Sequence, residues 1–207
     1  MSKKDLLRIL TTRSKVLHMP ANEEIIFPLS SKTEDLIHKT IDTLRYNDGV
    51  YAKRGLAISA PQVGSLKRFF IMFDFTVAPL GRRVNIVCNP EILEYSDEKE
   101  DEYEGCLSIP KICCKVSRSK KVVVKYQDLT GETFKREFSD TFARIFQHEC
   151  DHLNGVVMTE KSKETIPNPL YEKYLERRRR EREKAKAQIA QTANSANTKI
   201  NEDIKSM

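Results

Sequence analysis

The sequence has no apolar run approaching the roughly 18–20 residues that a membrane helix needs, and its longest comparable stretch, residues 69–73, is the length of a strand. A helical membrane protein is thereby excluded, and no membrane partner is expected. A secretory signal is missing as well. Lys3, Lys4 and Arg8 lead into mixed polar sequence, without the apolar segment of about 7–15 residues and the small-residue cleavage site. The cytosol is the expected compartment. The basic residues 1–17, with their Ser and Thr, keep a mitochondrial presequence as the alternative. The five cysteines, Cys88, Cys106, Cys113, Cys114 and Cys150, are an odd number without regular spacing. A disulfide framework is therefore not expected, and reduced thiols are. There is no internal repeat and no rhythm of alternating strands and helices that would build a parallel sheet.

What is there divides unevenly. Charged residues make up 32% of the chain and apolar ones 39%, with a net charge of +6. The charge gathers near the C-terminus, so residues 1–166 can still bury a core and read as one catalytic domain. After Pro167 and Pro169, residues 171–187 hold eight Lys or Arg against four Glu. Residues 167–190 are expected to form a basic helix with little face to bury. Residues 191–207, rich in Gln, Thr, Asn, Ser and Lys, are expected to be disordered.

Ser31 with Glu34 forms a capping-box pattern, and Leu36, Ile37, Ile41 and Leu44 give a helical stripe. The spacing predicts a helix over residues 32–46, ending near Asn47-Asp48-Gly49. Residues 67–87 read as two strands around Pro79-Leu80-Gly81, closed by Asn89-Pro90. Residues 122–126 and 133–138 read as a hairpin. Ser139 or Asp140 caps a further helix carrying Phe142, Ile145, Phe146 and Leu153, stopped by Asn154-Gly155. The fold class is α+β, with mainly antiparallel sheets packed around a central helix and a basic C-terminal helix.

That central helix carries the strongest chemical signal, QHECDHLNG at residues 147–155. His148 and His152 stand four apart and share a face, with Glu149 between them: the HExxH arrangement of metal-dependent hydrolases. Two imidazoles do not complete a catalytic site of three protein ligands plus an open position. HExxH peptidases draw the third ligand from downstream, but no His follows His152 and the next Glu is Glu160. Upstream, EGCLS at residues 104–108 offers Cys106, a good thiolate ligand that equally suits a buried structural role. GLAISAPQVG at residues 55–64 is a small-residue loop that ends by presenting Gln62.

In this order and spacing the three segments resemble the peptide deformylases. EGCLS and QHECDHLNG match that family's motifs completely, including Gln147, Asp151, Leu153 and Gly155 around HExxH. The likeness covers roughly residues 5–165. It implies hydrolysis of the formyl group from N-terminal formyl-methionine of nascent polypeptides, with release of formate. It implies one divalent metal held by Cys106, His148 and His152: iron(II) in the cell, with zinc, nickel or cobalt as substitutes. Glu149 is then the general base, and the Gln62 amide and the Leu107 N–H face the developing oxyanion. Glu104, Asp151 and Arg118 would orient the ligands. Gly55, Ile58, Ser59 and Arg144 would line the methionine pocket, and the basic helix would meet ribosomal RNA. The chain departs from the family pattern at Ala57, Ser59 and Cys113, which bears on substrate preference. A non-catalytic ribosome-associated relative and an HExxH metallopeptidase are the competing readings.

Overall fold

The computed structural model describes residues 6–46, 56–74 and 83–205. It divides into two units, Met1–Asn168 and Pro169–Met207.

In the first unit, Ser31–Tyr46 forms helix α1. The capping residue is Ser30, not Ser31: Ser30 Oγ accepts the Thr33 N–H at 3.3 Å. Both serines carry the same acceptor, but it is Ser30 that stands three residues before the N–H its hydroxyl meets. Thr33, Ile37, Thr40, Ile41 and Leu44 form the buried stripe. The Thr40 and Thr43 hydroxyls donate back to the Leu36 and Lys39 carbonyls at 2.7 Å each, which satisfies polar atoms on a buried face. The expected stop at residues 47–49 lies outside the described residues.

Strands β1 (Ala57–Ser59), β2 (Phe69–Asp74), β3 (Arg83–Tyr95), β6 (Lys121–Gln127) and β7 (Thr133–Ser139) form an antiparallel sheet in the order β1-β2-β3-β6-β7. The unbroken apolar run of β2 follows from its place between two cores. Phe69, Ile71 and Phe73 pack with α1, and Phe70 and Met72 pack on the opposite face under helix α2 (Asp140–Leu153). β3 does not stop at Asn89-Pro90 as expected. Asn89 takes a φ of 49°, and the ladder shifts register between Cys88 and Glu91. Pro90 therefore sits in a bulge, where its missing N–H breaks no hydrogen bond.

A second antiparallel sheet, β4 (Lys99–Cys106), β5 (Ile109–Ser119) and β8 (Glu164–Pro167), has the order β4-β5-β8. It backs onto a third cluster containing Leu17, Cys106, Cys114, Val116 and Met158. Helix α2 is tied to both sheets. Phe146 meets Phe70 edge-on at 5.0 Å. The Gln147 amide donates to the Ser119 carbonyl at 2.8 Å and accepts the Ser119 N–H at 3.2 Å, standing in for a neighbouring strand. The chain leaves α2 through Gly155, with a φ of 74°, and an added Cβ there would lie 2.8 Å from the Met19 carbonyl carbon.

In the second unit, α3 runs Pro169–Lys205. Over its described residues the backbone stays helical to Lys205. Ion pairs such as Glu176–Arg180 at 2.7 Å and Arg179–Glu183 at 3.2 Å add local support. No helix among the described residues is long and apolar enough to cross a membrane.

Gly155→Ala is expected to cost about 2 kcal/mol, lowering Tm by roughly 4–8 °C, because the left-handed backbone and the Met19 contact both resist a side chain. Thermal unfolding of the purified variant measures this, and an unchanged Tm would contradict the account of this turn.

Candidate metal centre

Two elements carry the convergent side chains and a third closes over them. Helix α2 buries its apolar stripe and turns Gln147, His148, Glu149 and His152 inward as well, so it is a central helix buried on more than one side. β4 ends at Cys106, and the two-residue turn Leu107-Ser108 leads into β5. The short helical turn Ala60–Val63 after β1 brings in Gln62. One ligand atom each from Cys106, His148 and His152 falls within 4.8 Å of the others, although the residues come from opposite ends of the motif set. Cys106 Sγ lies 3.2 Å from His152 Nε2. The two imidazoles stand edge to face with centroids 4.9 Å apart.

The ring nitrogens are sorted by their partners. His148 Nδ1 meets Glu104 Oε1 at 3.0 Å, which leaves Nε2 for another partner. Glu104 is itself clamped by Arg118, through Nη2 at 2.6 Å and Nε at 3.2 Å. Arg118 reaches on to Asp151, whose other oxygen binds Lys161. Polar contacts thus run from exposed Lys161 through partly buried Asp151 to the buried Arg118, Glu104 and His148. Arg144, expected in the methionine pocket, also pairs with Glu104 of this set. It pairs with Glu102 at 3.0 Å and donates to the Val116 carbonyl at 3.0 Å and the Glu100 carbonyl at 2.8 Å. Its guanidinium pins α2 to β4 and β5.

Gln62 is fixed at both ends. Its Oε1 accepts from Ser59, and its Nε2 donates to Ser108 Oγ at 3.1 Å and Cys106 Sγ at 3.4 Å. Ser108 is the polar residue that sequence reasoning left without a role; it lay inside EGCLS, but no spacing rule singles out its hydroxyl. The side chain of Ile58 packs in the α1 core. Ser59 is fully buried. Gly55 lies outside the described residues. Cys113 pairs with Ile166 across β5 and β8.

Electrostatics separates the titratable groups. Burial pushes the Glu149 carboxyl up to about 7, against the opposing charge of His148. Burial would lower His148, but its hydrogen bonds to Cys106 and Glu104 outweigh it and hold the imidazole well above its ordinary value. Burial, reinforced by His148, drives His152 well below. Glu104 would be raised by burial, yet His148 and Arg118 hold it well below the usual carboxylate range.

The donor set suits a divalent transition metal, since thiolate and imidazole are ligands of zinc, iron, nickel and cobalt. Among the described residues, the buried side-chain polar atoms without a hydrogen-bond partner are Glu149 Oε2 and His152 Nδ1, both in this one site. Buried polar atoms are rarely left unpaired, so this carboxylate oxygen asks for a polar ligand.

Comparison with known proteins agrees with this geometry. Residues 6–167 match the family model of polypeptide deformylase. A peptide deformylase of Thermotoga sp. (strain RQ2) is 44% identical over 131 residues, 63% of this chain and 75% of that protein. One from Borreliella burgdorferi is 36% identical over 174 residues, 84% of this chain and 92% of that protein. The crystal structure of peptide deformylase from Thermotoga maritima superposes with a TM-score of 0.64 at 36% identity, covering 77% of this chain and 99% of the other. The chain therefore belongs to the polypeptide deformylase family, the metal-dependent hydrolases that remove the formyl group from the N-terminus of nascent polypeptides.

Proposed function

We propose that Cys106 Sγ and one ring nitrogen each of His148 and His152 hold a single divalent cation, iron(II) in the cell, with zinc, nickel or cobalt able to replace it. The convergence of these three donors beside the unpaired Glu149 Oε2 is the observation that carries this reading. Bound there, the cation supplies Lewis-acid polarisation of the formyl carbonyl and lowers the pKa of water. Glu149 takes the proton of the attacking water and passes it to the departing amine nitrogen, so that formamide and water become free amine and formate. A carboxyl pushed up towards neutrality by burial suits both transfers, and a nearby cation moderates the shift. The Gln62 Nε2–H and the Leu107 N–H donate to the oxygen on which charge develops. Among the described residues β1 is the edge strand of its sheet, and its outer edge offers backbone partners to an extended formyl-methionyl peptide. The action takes place in the cytosol, and α3 presents its cluster Arg177 to Arg180 to ribosomal RNA phosphates.

Formate release from a formyl-methionyl peptide tests this reading. Glu149→Gln is expected to retain one metal per chain and lose activity by about 10²–10⁴-fold; wild-type turnover in that variant would remove Glu149 from the base role. Because the ligands coordinate only in deprotonated form, metal affinity is expected to fall as pH falls, by roughly tenfold per pH unit for each proton displaced. Calorimetric titration with zinc in buffers of different ionisation enthalpy measures those protons, and pH-independent binding without proton release would contradict the ligand set. Arg118→Met strands Glu104 as a buried, uncompensated charge, with an expected loss of about 3–5 kcal/mol of stability. It also weakens metal binding by about 10–100-fold. Unchanged unfolding and unchanged affinity would show that Arg118 orients nothing.

A further inference from the structure

Ser59 stands where the sequence suggested a wall of the substrate pocket, yet it is fully buried and turned toward Gln62. One acceptor, Gln62 Oε1, takes both of its donors: the Ser59 N–H at 2.9 Å and the Ser59 hydroxyl at 3.1 Å. A carboxamide carries its oxygen and nitrogen on one rigid plane at the end of a soft torsion. A single hydrogen bond to Oε1 leaves that plane free to rock about the bond, whereas two donors arriving from different directions hold it. The far end of the plane is Nε2, which donates to Ser108 Oγ at 3.1 Å and Cys106 Sγ at 3.4 Å. Swapping oxygen and nitrogen would set Oε1 against Cys106 and leave both Ser59 donors facing NH₂ hydrogens, so the arrangement also selects one of the two amide orientations.

We propose that Ser59 is a positioning residue: its hydroxyl locks the Gln62 amide with Nε2 turned into the site, where it donates to the oxygen of the formyl group as charge accumulates there. This rests on the deformylase reading of the site. The bond acts on the donor and not on the peptide, so its loss weakens the transition state more than the bound substrate. Chains of hydrogen bonds also polarise one another at low dielectric, so a hydroxyl donating to Oε1 makes the Nε2–H a better donor.

Ser59→Ala removes one oxygen from a packed position, adds no volume and keeps the backbone N–H bond, so the fold and the metal content are expected to persist. Formate release by the metal-loaded chain is expected to show kcat lowered about 3–10-fold, the range of one neutral hydrogen bond, with KM within about twofold of wild type. The decisive comparison is the double-mutant cycle with Gln62→Ala. If Ser59 acts through Gln62, adding Ser59→Ala to Gln62→Ala changes kcat no further. An equal loss of kcat in both backgrounds, or a Ser59→Ala loss confined to KM, overturns the positioning role, as does a single variant with wild-type kcat. Absence of formate release from the wild-type chain at full metal occupancy would instead overturn the deformylase reading itself, so the two failures are distinct.

Discussion

The site depends on a charge pair taken out of water. Arg118 and Glu104 are each more than nine-tenths buried and joined through two hydrogen bonds. Isolated burial of either charge would cost several kcal/mol, and their mutual attraction, with Asp151 and Arg144 sharing the remaining positions, offsets it. That bond spans elements: Glu104 belongs to β4, Arg118 to β5 and Asp151 to α2. One guanidinium thus fixes the sheet that bears Cys106 against the helix that bears both histidines. Glu104 in turn holds His148 Nδ1, so the orientation of an imidazole is set by a salt bridge whose farther members touch no ligand.

Around this clamp, specificity in the polar atoms replaces specificity in the core. The apolar clusters on the two faces of the larger sheet place α1 and α2 by area and shape. Gln147, by bonding both backbone groups of Ser119, fixes the rotation of α2 about its own axis. Gln62 is held from Ser59 through the backbone N–H and the hydroxyl. Both amides behave as pieces of backbone grafted onto side chains, and each sets the direction of a group that the chemistry uses.

Much of the site was legible because its determinants are local. His148 and His152 share a face by helical geometry alone, and the stripe of Phe142, Ile145, Phe146 and Leu153 announces the helix that carries them. Cys106 was legible only beside the other motifs, since one cysteine carries no period. The smaller sheet escaped notice because β4 is mostly charged and exposed, and its pairing with β5 and then β8 is a matter of long-range register. Continuation of β3 past Pro90 depends on a bulge defined by its partner strand. The ion pairs of Arg144 were not legible, because sequence shows a charge near a motif without showing Glu102 and Glu104 opposite it. Ser59 and Gln62 stand in one motif, but the hydrogen bonds between them depend on the tight turn over Ala60–Val63.

The central claim is that Cys106, His148 and His152 act together as one ligand set. X-ray absorption at the zinc edge of zinc-loaded protein tests it most directly. The account expects one sulfur at about 2.3 Å and two imidazole nitrogens at about 2.0–2.1 Å, with the sulfur shell lost in Cys106→Ala. A spectrum without sulfur, or one that keeps its sulfur in that variant, would contradict it.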